Sequence, residues 1–305
     1  MSLRFDDRVV IVTGAGNGLG KSHAMDFARR GAKVVVNDLG GSIAGEGASK
    51  YVAQSVVDEI KAAGGEAVAN TDSVEEGDKL VQMALDVFGR VDVVVNNAGV
   101  LRDASFAKMS DADWDTIYRV HLYGSYKVTK AAWPHMRNAN YGRIVMTTSV
   151  AGVYGNFGQA NYAAAKIGLF GLAQTLAIEG AAKNVLCNTV APTAGSRLTA
   201  TVLPKEVLEA LKPEYVTPAV VLLGHETCPV SGKLFEVGGG WVSQTRWEQT
   251  EGVFFKEDFA AEDLQARWGE ATNFERARHA DKISQSKTGL EERLGRKLEL
   301  VPQKT

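Results

Sequence analysis

The run Arg8-Val-Val-Ile-Val-Thr13, followed at once by Gly14-Ala-Gly16-Asn-Gly18-Leu-Gly20, most limits what this chain can become. β-Branched residues without polar alternation read as a strand covered on both faces, the habit of parallel sheets. The glycines permit a tight turn and a close backbone approach to a ligand. Lys21 to Arg30 then has helical spacing. Strand, glycine turn and helix start gather free N–H groups and a positive dipole end at one point, where a pyrophosphate binds well. Gly14, Asn17, Gly18, Leu19 and Gly20 are therefore candidate phosphate contacts. The glycines do not follow G-x-G-x-x-G, because Leu19 stands where its last glycine belongs. They do follow Thr-Gly-x-x-x-Gly-x-Gly.

The same alternation continues. Ala32 to Asp38 reads as a second strand, and Asp38 falls eighteen residues after Gly20. That is about where a Rossmann acid accepts the adenosine ribose hydroxyls. A carboxylate there repels a 2′-phosphate, so the spacing predicts NAD rather than NADP. The glycine-rich Leu39 to Ser49 is long for such a loop, and reads either as a mobile flap or as an insertion without function. A third strand, Glu66 to Asn70, leads to Asp72-Ser73. Asp72 either accepts from an adenine amino group or serves a turn. A fourth strand, Val91 to Val95, ends in Asn96-Asn97-Ala98-Gly99, which is expected beside the ribose at the switch point of a doubly wound sheet. Asp111 to Met136 reads as one long helix interrupted around His121-Leu-Tyr-Gly124. Arg143 to Thr148 and Val185 to Val190 supply two further strands, the latter ending in Pro192-Thr-Ala194-Gly195. Lys233 to Val237 is the last strand, with a turn at Gly238-Gly-Gly-Trp241.

The expected fold is α/β, a doubly wound parallel sheet of Rossmann type in a single domain spanning 1–245, with a C-terminal helical extension over 246–305. Ser196 to Tyr215 is amphipathic, either a lid over an apolar pocket or an ordinary surface helix. Ala261 to Phe274 suggests another amphipathic helix. The Trp and Phe residues of this extension argue that it packs on the protein body. From Ala280 onward the chain reads as a loose end.

Chemistry concentrates between Ser149 and Lys166. Tyr162 and Lys166 are four residues apart, which on a helix places both on one face. An ammonium beside a phenol favours the phenolate and is expected to lower its pKa, giving a general base usable near neutrality. Ser149 lies thirteen residues before Tyr162, at the end of a strand, where its hydroxyl reaches a substrate oxygen.

A net charge of −2 gives no strong field for nucleic acid or a lipid surface. No apolar stretch approaches the roughly 20 residues of a membrane span, and no signal peptide is expected. Cys187 and Cys228 form no disulfide framework, and the five histidines lack ligand spacing, so no metal is expected.

Taken in order, Thr13-Gly14-x-x-x-Gly18-x-Gly20, Asn96-Asn97-Ala98-Gly99, Ser149, Tyr162-x-x-x-Lys166 and Pro192 resemble the classical short-chain dehydrogenase/reductase family. Val36-Asn-Asp-Leu-Gly-Gly, Tyr154-Gly-Asn-Phe-Gly-Gln-Ala-Asn-Tyr162 and Leu211-Lys-Pro-Glu-Tyr-Val narrow the resemblance. They are similar to the (3R)-hydroxyacyl-CoA dehydrogenase unit of peroxisomal multifunctional enzymes of type 2. The resemblance implies NAD-dependent oxidation of a (3R)-3-hydroxyacyl-CoA in fatty-acid β-oxidation, with Tyr162 as base, Ser149 on the 3-oxygen and Lys166 on the nicotinamide ribose. It adds Pro192 and Ala194 to the cofactor contacts, with Asp72, Ser73, Asn97, Ala98 and Gly99. His121 stands where much of the family has Asn in a proton relay behind the lysine, and Thr193 stands where many members have Gly. A homodimer, a hydratase domain in a longer parent chain and a peroxisomal setting are also implied. Outside such a parent the setting would be cytoplasmic. The alternatives are a 17β-hydroxysteroid dehydrogenase and a catalytically silent dinucleotide-binding scaffold.

Overall fold

The computed structural model describes residues 2–194, 209–255, 258–280, 291, 294 and 295. The chain divides into two compact units, Met1–Thr245 and Arg246–Thr305.

In the first unit the apolar runs form strands β1 (Val9–Thr13), β2 (Lys33–Asn37), β3 (Glu66–Asn70), β4 (Val93–Asn96), β5 (Gly142–Thr147), β6 (Val185–Pro192) and β7 (Leu234–Gly238). They make one sheet in the order β3-β2-β1-β4-β5-β6-β7, all parallel. An eighth strand, β8 (Trp241–Thr245), pairs antiparallel with β7. It was not expected: Gly239 and Gly240 make a two-residue turn, and Trp241-Val-Ser-Gln-Thr lacks the continuous apolar signature because an edge strand is covered on one side only.

The strands are apolar throughout because both faces are covered. Val10, Val12, Val34 and Val36 face one core, packed by Ala24 and Phe27 of α1 (Gly18–Arg29) and Val56 and Ile60 of α2 (Lys50–Ala62). Val9, Ile11 and Val35 face the other. That side is covered by α3 (Gly77–Phe88) and by a continuous run of α4 (Asp111–Ile117), a π-helical segment Tyr118–Tyr123 and α5 (Gly124–Ala139). The expected interruption at His121 is thus a change of helical pitch rather than a break. After β5 come the short α6 (Val150–Tyr154) and the 21-residue α7 (Ala160–Gly180). α8 (Thr217–Gly224) returns to the first face. Most of the expected amphipathic segment before it lies outside the described residues.

At the end of the sheet remote from the glycine turn, Arg143 is 2% exposed and, among the described residues, bonds to no carboxylate. Its guanidinium donates to the carbonyls of Gly142 (2.8 Å), Asn184 (2.9 Å), His225 (3.0 Å) and Glu226 (3.1 Å). One side chain thus joins carbonyls at the start of β5, just before β6 and just after α8.

In the second unit, α9 (Ala261–Ala266) and α10 (Trp268–Ala271) replace the single expected helix. Glu248–Gln249 and Arg278–His279 pair as a short ribbon. Arg267 donates to Phe254 O (2.8 Å), and Phe255 stacks on Phe259 at 4.5 Å.

His23 in α1 is 1% exposed and its Nδ1 lies 2.8 Å from Thr217 Oγ1. Burial pushes its pKa down to about 3. The unfolded residue titrates near pH 6.5, so between these values the unfolded chain binds the extra proton. Stability from this group is complete above pH 6.5 and is lost as pH falls toward 3, by about 1.4 kcal/mol per pH unit. In urea melts from pH 7 to 4, His23→Gln is expected to show a shallower loss than wild type. Equal slopes would contradict the assignment.

Candidate active site

The strand order reverses between β1 and β4, and their C-terminal ends open a crevice there. A cleft of about 510 Å³ fills it. Its wall brings together Gly14, Asn17, Gly18, Leu19, Asp38, Asp72, Ser73, Asn97, Ala98, Gly99, His121, Ser149, Tyr162, Lys166 and Pro192. Of the expected cofactor contacts, Gly20 and Ala194 stand behind this lining. A larger groove, about 820 Å³, runs between α1 and α2. Five of its charged side chains pair with one another, Lys21 with Glu59 and Asp26 with Arg29 and Arg30.

At the glycine turn, a β-carbon on Gly14 would lie 2.7 Å from Ala98 Cα, and one on Gly20 would lie 2.2 Å from Gly14 O. Both glycines are therefore demanded by backbone packing. Gly18 differs. Its φ is +52° and an added β-carbon would meet nothing within 4 Å, so it keeps the head of the cleft clear. Helix α1 begins at this residue, with its N-terminus toward the opening. Asp38 Oδ2 accepts from Gly16 N (2.8 Å) and Oδ1 from Gly40 N (2.7 Å). Each oxygen keeps a further lone pair for a ribose hydroxyl. Thr147 Oγ1 and His121 Nδ1, on the same wall, are buried without a hydrogen-bond partner. These features fit a dinucleotide: an open phosphate cradle, a diol acceptor and unsatisfied polar atoms along the floor.

Asn97 departs from expectation. Its side-chain amide donates to Thr13 O (2.9 Å) and Gly14 O (3.2 Å), and the Thr13 hydroxyl accepts from the N–H groups of Asn97 and Ala98 at 3.0 Å. The amide holds the glycine turn against the end of β4 instead of facing a ribose. Asp72 Oδ2 accepts from Asn70 (2.7 Å), which fixes the carboxylate at the rim.

At the other end of the cleft, Lys166 is 4% exposed. Its Nζ donates to Thr147 O at 2.6 Å and lies 5.5 Å from the centre of the Tyr162 ring. Thr148 Oγ1 donates to Lys166 O at 2.6 Å and seats α7 against the end of β5. Burial pushes the Lys166 pKa down to about 7. Burial also raises the Tyr162 phenol above its ordinary value, while a hydrogen bond with Ser149 pulls it down. The expected lowering of the phenol is thus reversed in the isolated chain. Both groups are dry, and for the phenol desolvation is the largest of the effects acting on it.

His121 is 1% exposed. Its Nε2 sits 2.8 Å from Val100 O and 3.0 Å from Val100 N, and its ring meets the Tyr162 ring edge-on at 5.2 Å. A β-carbon on Gly99 would strike the imidazole at 2.5 Å, so this glycine exists to admit the histidine. Burial first, and then the Lys166 charge, hold the His121 pKa well below its usual value. The expectation of a proton relay through this side chain meets a physical obstacle: burial keeps the imidazole neutral, and among the described residues no carboxylate bonds to it. Its own carbonyl accepts from Ser125 Oγ at 2.6 Å.

Asn161 is a residue that sequence reasoning missed. It is buried, its Oδ1 accepts from Tyr162 N (2.8 Å) and its Nδ2 donates to Arg102 O (3.1 Å). Only its place before the tyrosine hinted at it. Among the described residues no cluster of His, Cys, Asp or Glu is arranged to hold a metal ion, and no helix is long and apolar enough to cross a membrane.

The family model for short chain dehydrogenases matches residues 8–206, and the chain belongs to that family. Within it, the chain is 57% identical over 293 residues to the peroxisomal multifunctional enzyme type 2 of Mus musculus, covering 95% of this chain and 40% of that protein. It is 50% identical to a short-chain type dehydrogenase/reductase of Mycobacterium tuberculosis, covering 90% of this chain and 97% of that one. The full-length peroxisomal multifunctional enzyme type 2 from Drosophila melanogaster superposes with a TM-score of 0.83 at 43% identity, over 96% of this chain and 50% of that structure. The chain is a short-chain dehydrogenase related to the dehydrogenase unit of type 2 multifunctional enzymes, and it spans half or less of those longer relatives.

A neutral His121 predicts that His121→Asn leaves the shape of the pH–rate profile between pH 6 and 8 unchanged, while lowering the rate through loss of the Val100 contact. A profile whose inflection moves in the variant would restore the side chain as a proton carrier.

Proposed function

We propose that this protein oxidises (3R)-3-hydroxyacyl-CoA to 3-oxoacyl-CoA with NAD, in fatty-acid β-oxidation. One observation carries the reading: Ser149, Tyr162 and Lys166 converge at one end of a cleft whose other end is a glycine turn with an acid beyond it. Similarity to type 2 multifunctional enzymes supports the substrate class.

Ser149, Tyr162 and Lys166 divide the work. Ser149, at the N-cap of α6, holds the substrate's 3-hydroxyl against the tyrosine. Tyr162 accepts the hydroxyl proton as C3 loses hydride. A nicotinamide cofactor supplies the hydride acceptor, and its oxidised ring carries positive charge. Positive charge held beside Tyr162 would favour the phenolate that burial alone disfavours. Lys166 Nζ, anchored on Thr147 O, keeps further donors for the nicotinamide ribose. Gly14 to Gly20 hold the pyrophosphate, Asp38 the adenosine ribose, and Pro192 and Ala98 flank the nicotinamide end.

The assembly proposed with this function is a homodimer. Trp114, Tyr118 and Tyr126 on the α4–α5 run and Ile178 on α7 are each between 43% and 48% exposed, an apolar surface suited to a second copy. A hydratase domain in a longer parent chain and a peroxisomal setting belong to the same proposal.

Dinucleotide reduction with each enantiomer of a 3-hydroxyacyl-CoA tests the reading. Turnover is expected with 3R and not with 3S. Tyr162→Phe is expected to lower it about 10²–10⁴-fold, the usual worth of general base catalysis. A 3S preference, or a hydroxysteroid turned over with higher kcat/KM than any acyl-CoA, overturns it. Asp38 further predicts higher kcat/KM with NAD than with NADP, and Asp38→Ala should narrow that gap chiefly by weakening NAD. Parity in the wild type would refute the cofactor choice.

A further inference from the structure

The glycine-rich stretch 39–49 is neither a free flap nor an idle insertion. Its base is closed by Ser49 N on Leu39 O (3.0 Å), and its tip by Ser42 N on Glu46 O (2.7 Å). Gly41, Ser42, Ile43 and Gly45 line the same cleft as Asp38 and Tyr162. The tip crosses from the end of β2 to the segment that follows β4. There Leu101 N donates to Ile43 O (2.9 Å) and Arg102 Nε donates to Ala44 O (3.0 Å). The loop contributes no side chain to either core, so these contacts hold it down.

Arg102 is also the point where this loop meets the catalytic helix. Its Nη1 pairs with Asp113 Oδ1 at 3.2 Å, which fixes the guanidinium at the start of α4. Its carbonyl accepts from buried Asn161, whose other amide atom accepts from Tyr162 N. The neighbouring residues reinforce the join: Ala104 N donates to Gly158 O (2.9 Å) and Gln159 donates to Asp103 (2.8 Å).

We propose that Arg102 is a positioning residue that latches the 39–49 loop across the dinucleotide cleft and ties that latch to the helix carrying Tyr162. The proposal rests on the dinucleotide reading above. A ligand lying between Gly18 and Lys166 has this loop as its outer wall, so its release requires the Ala44 and Ile43 contacts to open. Opening is local, because it breaks surface hydrogen bonds and uncovers no core. The side chain touches neither hydride nor proton. It sets how long the cofactor stays and how firmly the N-terminus of the Tyr162 helix is held while it does.

The test uses the full chain and whichever of NADH or NADPH binds more tightly. Stopped-flow fluorescence gives the dissociation rate, and hydrogen exchange reads the amides of residues 39–49 with and without cofactor. Arg102→Ala is expected to raise the dissociation rate about tenfold or more, the factor expected for one lost charge-assisted hydrogen bond. It should also speed exchange across 39–49 and raise the cofactor KM more than it changes kcat. Asp113→Asn keeps the Ala44 contact and should give a smaller effect in the same direction. If Arg102→Ala fails to fold, Arg102→Lys, with one donor group in place of a fork, should give an intermediate rate. Unchanged dissociation and unchanged exchange in a folded variant would overturn the latch, as would lower thermal stability alone. If neither dinucleotide binds, the cofactor reading fails, and the exchange comparison in the cofactor-free protein still decides the latch.

Discussion

The site depends on a lysine kept dry. Among the described residues the Lys166 ammonium donates to the carbonyl of Thr147, and its backbone is pinned by the hydroxyl of Thr148. Those two bonds fix where α7 starts its climb from the end of β5. Tyr162, one turn earlier, and Ser149, one residue past Thr148, inherit their places from them. Burial disfavours the charged form of each, the phenolate and the ammonium alike.

The two ends of the sheet are specialised differently. At the C-terminal end, strands stop in glycine, small residues and hydroxyls, leaving a crevice. At the N-terminal end, Arg143 closes the structure by donating to carbonyls at the start of β5, just before β6 and just after α8, with its guanidinium 4.5 Å from the Tyr141 ring centre. A buried cation satisfied by carbonyls alone holds those elements together without a second charge to desolvate. The rigid end supports the open one.

Between them, the segment from Asn97 to Ala104 acts as a junction. Asn97 braces the glycine turn, Val100 receives His121, Leu101 and Arg102 receive the 39–49 loop, and Arg102 and Ala104 meet the approach to the catalytic helix. Most of these bonds end on a backbone group. Such contacts leave little trace in residue type, because any residue offers a carbonyl and an N–H.

That is why legibility differs along the chain. The sequence by itself determined the parallel sheet, because strands covered on both faces must be apolar throughout. It determined the glycine turn, because packing against Ala98 excludes a β-carbon at Gly14 and the positive φ of Gly18 disfavours one there, and it determined the spacing that sets Tyr162 and Lys166 on one face of a helix. The tertiary structure decided what no local pattern carries. It turned the interruption at His121 into a π-helical segment whose imidazole is sealed behind Gly99. It spent the Asn97 amide on a turn, and added an eighth strand that pairs with the neighbour beyond two glycines. It raised the Tyr162 phenol where spacing predicted a lowering. The physical reason is common to all four. Burial and the far partner of a hydrogen bond belong to the assembled sheet, and a pKa or a side chain's use follows from those surroundings rather than from the residues beside it in the chain.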